Sequence, residues 1–116
     1  MARCKSVDDL VARYALGGPV DTSLWNAAKT AFPNATLNSA HRPGHSGYHG
    51  RAQAVDLGGP MQEIANWIFT TYPQSAQLIW GPGPFIAEGN TDQAYARHYF
   101  RDDIADHFDH VHWAHN

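Results

Sequence analysis

Two short segments of the chain combine histidine and aspartate at spacings that suit a metal site. His49 and Asp56 are separated by six residues, and His110 and His112 by a single residue. Imidazole nitrogens and carboxylate oxygens are common ligands of zinc, and catalytic zinc sites typically keep three protein ligands and one open position. A divalent ion held there would activate water near neutral pH and polarise a carbonyl oxygen, which is hydrolytic chemistry.

Histidine is also unusually frequent and unevenly placed in this sequence. The chain has 8 His among 116 residues, and four of them, His107, His110, His112 and His115, fall within the last ten. Scattered histidines carry little information, whereas a cluster beside aspartate favours metal binding. The competing interpretation is a solvated or tag-like histidine cluster at the surface.

The segment 108–114 has the alternation of a strand, which argues against a tag-like cluster. Side chains alternate between the two faces of a strand, so His110 and His112 are expected to share one face. Val111 and Trp113 would then point the other way, into a core. This pattern predicts a final strand with a histidine face and an apolar face.

A second strand is predicted at 53–57, and it carries the aspartate. Asp56 shares its face with the small Ala54, while Val55 and Leu57 belong to the opposite, apolar face. If this strand pairs with the final one, Asp56 meets the two histidines on a face where small side chains leave room for a ligand.

The remaining sequence predicts the elements that support these two strands. Gly and Pro residues mark the ends of the predicted segments, and 41–50, rich in Gly, Pro and His, is expected to be a loop. Helices come first, followed by strands and one more helix, without regular βαβ alternation. This order predicts an α+β fold, a small antiparallel sheet flanked by helices, in a single domain over 1–116. The expected helices are 6–16, 21–32 and 60–72, and the further expected strands are 36–40 and 77–80.

Composition excludes several classes of protein. The formal net charge is -3, and no run of Lys or Arg offers the basic face of a nucleic-acid-binding domain. No apolar stretch is long enough for a membrane span. Charged residues interrupt the N-terminal segment, so we expect synthesis in the cytoplasm without a Sec signal peptide. A lone Cys4 can form no internal disulfide, and a monomer is expected.

The histidine and aspartate pattern resembles that of the peptidoglycan metallopeptidases of the lysostaphin, D-Ala-D-Ala carboxypeptidase and murein endopeptidase group, here the LAS group. Their first motif reads SxHxxGxAxD, and a C-terminal HxH or ExxH follows much later. The sequence matches the first motif at His49, Ala54 and Asp56, with Gly47 in place of its Ser and Ala52 in place of its Gly. With the C-terminal His-Val-His segment, the resemblance extends over about 36–114 and implies an LAS-type fold.

The resemblance also implies a role for each residue of the motifs. His49, Asp56 and His112 would be the zinc ligands. His110, the first histidine of HxH, would lie beside the metal as the principal catalytic group that handles protons. Asp109 stands where one branch of the group has a catalytic Glu, and is the second candidate for that role.

Three further residues are implied to contact substrate. Arg42 lies in a segment that resembles the one whose Arg binds a substrate carboxylate, and a guanidinium suits that ligand. His107, five residues before the last ligand, would line the pocket, and Tyr48 would form a wall of it. Each has a plainer alternative, as a surface or rim residue.

The implied function is zinc-dependent hydrolysis of a peptide bond in peptidoglycan stem peptides or cross-links. A phage endolysin, or the lysin module of a phage tail protein, is the expected kind of protein, acting on the bacterial cell wall. Two alternatives stay open. One is a non-catalytic, zinc-stabilised module that binds the wall, and the other is a non-haem iron oxygenase, which also uses two His and one carboxylate.

Overall fold

A computed structural model describes residues 20–40, 44, 47–72, 75–81, 100 and 107–115 of the chain. The predicted helix over 6–16 lies outside these residues. Within them the elements in chain order are helix α1 (Val20–Ala31), strand β1 (Thr36–Ser39), the single helical turn α2 (Gly47–Gly50), strand β2 (Ala54–Gly58), helix α3 (Met61–Thr71), strand β3 (Gln77–Ile79) and strand β4 (Val111–Ala114).

The four strands form one antiparallel sheet in the order β1-β2-β4-β3. The sheet and its helices confirm the predicted small α+β fold. The two inner strands, β2 and β4, come from distant parts of the sequence and pair with each other. The two strands expected to carry the site are therefore direct neighbours at the centre of the sheet.

One face of the two inner strands lies in the main hydrophobic core. Val55 and Leu57 of β2 and Val111 and Trp113 of β4 are each 0% exposed and belong to one buried cluster. The predicted apolar faces of both strands are thus confirmed. By the period of two, Asp56 and His112 belong to the opposite face, which is where the site must lie.

Helix α1 contributes Leu24, Ala27 and Ala28 to this core, at the three- and four-residue spacing of a helix face. Lys29 lies in its last turn, where a cation is favourable, and its Nζ donates to the Pro33 carbonyl at 2.6 Å. Pro33 follows the end of the helix at Ala31, as a residue that cannot continue helical hydrogen bonding should.

Helix α3 packs on the same core through Ile64, Ala65 and Ile68. It follows Gly59, whose φ of +98° lies in the left-handed region and whose Cβ position would be 2.8 Å from the Asn34 carbonyl oxygen. Only glycine suits this turn, because a side chain would be both strained and in collision with the backbone. The turn ends β2 immediately after its site-bearing residues.

Two local expectations differ from the structure. The final strand begins at Val111, so His110 lies just before it. The part of the predicted loop from Gly47 to Gly50 is a helical turn, closed by a hydrogen bond from the Gln53 N–H to the Tyr48 carbonyl at 2.8 Å. Local hydrogen bonds of this kind are set by the folded backbone, and a Gly-rich composition does not reveal them.

Candidate metal centre

The register of the central strand pair brings Asp56 and His112 together. Asp56 of β2 lies directly opposite His112 of β4, although the two are 56 positions apart in the chain. Opposed residues in an antiparallel pair have side chains on the same face and in reach of each other. Both residues are buried, with 5% and 7% of their surface exposed.

The third member of the cluster, His49, reaches the sheet from the helical turn α2. The segment after this turn passes through Ala52, whose φ of +57° is a left-handed conformation. The Ala52 carbonyl accepts a hydrogen bond from the Asp21 N–H at 2.9 Å, which ties the segment to the start of α1. The turn and this tie hold the His49 ring over β2.

His49, Asp56 and His112 form a compact cluster whose candidate ligand atoms lie within 4.8 Å of one another. Asp56 Oδ1 lies 3.2 Å from His49 Nε2 and 3.2 Å from His112 Nδ1. Ligand atoms about 2.0–2.1 Å from a tetrahedral zinc lie about 3.3–3.4 Å apart. The two separations are close to this spacing, so the cluster could hold a divalent metal ion.

A hydrogen bond on the side of the His49 ring away from Asp56 determines which ring nitrogen carries the proton. His49 Nδ1 lies 2.8 Å from the Ala40 carbonyl oxygen, which can only accept, so Nδ1 carries the proton. A neutral His49 then presents the Nε2 lone pair to the Asp56 carboxylate. Two electron-rich atoms at 3.2 Å repel each other unless a proton or a cation lies between them. A metal cation bound between the nitrogen and the carboxylate oxygen would remove this repulsion.

His112 is held at both ring nitrogens. Its Nδ1 faces Asp56, and its Nε2 lies 2.7 Å from the side-chain oxygen of Gln77, on the neighbouring strand β3. Ligating histidines usually donate their other ring N–H to such an acceptor, which sets the orientation of the ring. Sequence reasoning did not identify Gln77; its only signal is a polar residue beginning an otherwise apolar strand.

The charge state of Asp56 suits a cation. Burial acts to raise the pKa of Asp56, but the hydrogen bond that a protonated His112 donates and the positive charges of protonated His112, His49 and His110 outweigh it, and the pKa lies below its ordinary 3.8. The carboxylate is therefore ionised at neutral pH, ready to act as a ligand.

Burial lowers the pKa of His112 below its ordinary 6.5, because removal from water disfavours the charged imidazolium. The nearby Asp56 acts in the opposite direction without reversing the shift, and the charges of His49 and His107 lower the pKa further. His112 is consequently neutral at pH 7, the state in which an imidazole can bind a metal.

His110 lies beside the cluster and is oriented by its neighbour. Its Nδ1 is 2.8 Å from Asp109 Oδ1, and its Nε2 lies 3.8 Å from Asp56 Oδ1. The ionised Asp109 accepts a hydrogen bond from the Nδ1–H of His110, and this hydrogen bond holds the pKa of the Asp109 carboxyl below its usual range. The Asp109 side chain is 91% exposed and contacts His110.

The alternation predicted for 108–114 does not extend to Asp109 and His110, because both residues precede β4. The backbone at His110 is not part of the strand, so the direction of its side chain toward Asp56 is not set by the period of two. Among the described residues, the structure thus brings His110 to the cluster directly and Asp109 through His110.

The other predicted substrate residues are placed differently. His107 lies at the cluster, with its ring centre 4.8 Å from that of His110 and 5.6 Å from that of His112. Tyr48 is half-buried beside His49, and the Arg51 guanidinium lies 4.7 Å from its ring centre. Arg42 lies outside the described residues, and its predicted role stays a prediction.

Comparison with known proteins gives this chain no relative. No protein-family model matches it, and no curated protein and no solved structure matches it. Among the described helices, none is long and apolar enough to cross a membrane. The chemistry of the cluster formed by His49, Asp56 and His112 is therefore the basis for a functional proposal.

Proposed function

We propose that the protein is a zinc-dependent peptidase with His49, Asp56 and His112 as its metal ligands. The observation that carries the proposal is the position of Asp56 Oδ1, 3.2 Å from one nitrogen of each histidine, while both rings are held at their other nitrogen. Two imidazoles and one carboxylate leave a position open for water or substrate. A bound zinc ion supplies a Lewis acid and activates water near neutral pH.

His110 is the proposed catalytic residue. Its Nδ1–H is engaged by Asp109, so the neutral ring directs the lone pair of Nε2 toward the cluster. Hydrolysis adds a hydroxyl to the carbonyl carbon and a proton to the departing nitrogen. A group that accepts a proton and then returns it serves both steps, and a histidine does this near neutral pH.

The proposed substrate is a peptide bond in bacterial peptidoglycan stem peptides or cross-links. This part rests on the resemblance of the His49–Asp56 and His110–His112 motifs to the LAS group, whose fold we propose for this chain. A phage endolysin or tail-associated lysin that acts on the cell wall as a monomer fits that resemblance. Arg42, His107 and Tyr48 are the proposed substrate contacts.

Purified peptidoglycan is the substrate with which to test this function. We expect new amino termini to be released, to disappear when a chelator removes the metal, and to return when zinc is restored. Mass analysis of the fragments identifies the bond. Release that a chelator leaves unchanged would overturn the proposal.

His110→Ala tests the catalytic assignment. We expect kcat to fall by about 100- to 10,000-fold, the contribution typical of general acid–base catalysis, while zinc stoichiometry stays the same. His115→Ala, the same change at a histidine outside the cluster, is the matched control and should keep full activity. Equal turnover of the His110 variant and the control would exclude His110 from catalysis.

The same measurements separate the two alternatives. A wall-binding module without turnover would bind zinc and peptidoglycan, release no amino termini, and keep its binding in His110→Ala. A non-haem iron oxygenase would be purified with iron and would require O₂ and an organic cosubstrate. Metal analysis of the purified protein is the first observation to make.

A further inference from the structure

Gln77 lies outside the proposed ligand set but contacts one of its members. It is the first residue of β3, pairs with Ala114 of β4, and lies diagonally across from His112, which pairs with Ile79. Residues two apart share a strand face, so Gln77 and His112 point to the same side of the sheet. The Gln77 side-chain oxygen is 2.7 Å from His112 Nε2.

We infer that Gln77 is a positioning residue that selects which nitrogen of His112 binds the metal. This inference rests on the metal site of the proposed function. With the amide oxygen as acceptor, His112 Nε2 carries the proton, and the lone pair of the neutral ring is on Nδ1. Nδ1 is the nitrogen that faces Asp56 Oδ1 at 3.2 Å.

The two proposed histidine ligands would therefore bind the metal through different ring nitrogens. In His49 the backbone carbonyl of Ala40 engages Nδ1 and leaves Nε2 for the metal. In His112 Gln77 engages Nε2 and leaves Nδ1. A backbone carbonyl cannot be changed by mutation, whereas Gln77 can, so the selection is open to experiment at His112.

The hydrogen bond between Gln77 and His112 matters because His112 is buried. The His112 side chain is 9% exposed, so water can replace a lost partner only poorly. Without Gln77, the Nε2–H of His112 would lack its acceptor, and the ring could turn to present Nε2 instead of Nδ1. Loss of such a partner typically weakens metal binding by about 10- to 100-fold.

Three variants test the inference by zinc affinity, measured by competition with a chromophoric chelator. Gln77→Leu removes the acceptor and should weaken zinc binding by about 10- to 100-fold. Gln77→Glu keeps an oxygen acceptor and should bind at least as tightly as the wild type. Gln62→Leu, the same change at an exposed position of α3, is the matched control and should leave affinity unchanged.

¹⁵N NMR of the imidazole nitrogens in the zinc-loaded protein shows directly which nitrogen of His112 binds the metal. Wild type and Gln77→Glu should show His112 bound through Nδ1, with an Nε2 proton protected from exchange. Gln77→Leu should lose that protected proton. A merely structural role of Gln77 would change stability without changing these signals.

Two results would overturn the inference while leaving the metal centre intact. One is a Gln77→Leu protein with wild-type affinity and wild-type ring signals. The other is a Gln77→Glu protein as weak as Gln77→Leu, which would mean that the amide donates to His112. A wild-type protein that binds no zinc would overturn the inference and the proposed function together.

Discussion

At the scale of single residues, Asp56 connects the parts of the cluster. Its Oδ1 lies 3.2 Å from His49 Nε2, 3.2 Å from His112 Nδ1 and 3.8 Å from His110 Nε2. One carboxylate oxygen thus faces three imidazole nitrogens in a largely buried position. Its negative charge would attract a cation to this position.

Asp56→Asn keeps the shape of this side chain and removes its charge. We expect zinc affinity to fall by more than about 100-fold, beyond the effect typical of residues that only support a ligand. Saturating zinc at about 100 times its Kd should raise the Tm of the wild type by about 10–20 °C. The variant should show almost no rise, and an equal rise in both proteins would remove Asp56 from the ligand set.

At the scale of elements, the segment between α2 and β2 determines whether His49 reaches the sheet. Ala52 adopts a φ of +57° in this segment, a conformation that favours glycine. Its position is the one where the motif of the LAS group has Gly. This chain makes the left-handed turn with alanine.

Ala52→Gly should stabilise the protein. A left-handed alanine costs about 1–2 kcal/mol, and the greater entropy of unfolded glycine costs about 0.5–1 kcal/mol, so we expect a net gain of up to about 1.5 kcal/mol. Urea unfolding measures it. Ala54→Gly, in the buried and extended strand β2, should instead destabilise the protein by at least about 0.5 kcal/mol. Destabilisation by both changes would contradict the left-handed turn.

The contact between Ser75 and strand β4 supports the site from the core side. The indole Nε1–H of Trp113 donates to Ser75 Oγ at 2.9 Å, and both residues are 0% exposed. Ser75→Ala leaves the buried indole N–H without this acceptor and should cost about 1–3 kcal/mol in the free energy of unfolding.

Thr30→Ala is the control for this change, because Thr30 Oγ1 makes its hydrogen bond to the Asn26 carbonyl on the exposed side of α1. Its effect on the free energy of unfolding should stay within about 0.5 kcal/mol. If the Ser75 variant is as stable as the Thr30 variant, the hydrogen bond to Trp113 contributes nothing to the core.

At the scale of the whole molecule, the buried cluster links stability to pH. The pKa of His112 and that of Asp56 are both lower in the folded protein than their ordinary values of 6.5 and 3.8. The unfolded chain therefore binds more protons as pH falls, first at His112 below about pH 6.5 and then at Asp56 below about pH 4. Both shifts make the metal-free protein less stable in acid.

Chelator-treated protein should accordingly lose stability between pH 7 and pH 5, by up to about 1.4 kcal/mol per pH unit from His112 alone. Denaturant midpoints across this range measure the loss. His112→Gln removes the buried imidazole and should flatten the dependence by the same amount. An unchanged slope in this variant would show that His112 is not held neutral by burial.

Much of the local structure follows from the sequence. The apolar stripes of α1 and α3 and the Pro and Gly residues that end them predict both helices to within one or two residues. Alternation predicts which face of β2 and β4 enters the core, because the period of two is a property of the extended backbone. Type and spacing likewise point to His49, Asp56, His110 and His112 as site candidates, whereas the choice of His112 over His110 as a ligand came from the resemblance to the LAS motifs.

The positions of His110 and Asp109 were only partly predictable. Both were expected within a strand, and both precede it. Strand ends depend on where hydrogen-bonded partners run out, and the partner residues of β4 lie in β2 and β3, far away in sequence. A local pattern contains no information on where that pairing stops.

Residue types and short-range periodicity determined the helices, the core faces and the candidate site residues, since these depend on neighbours a few positions away. The tertiary structure alone decided the register that places Asp56 opposite His112, and the ring nitrogen that each histidine turns toward Asp56. It also supplied Gln77, which no motif contains. Those features depend on contacts between residues distant in the chain, which form only when helices and sheet pack around one core.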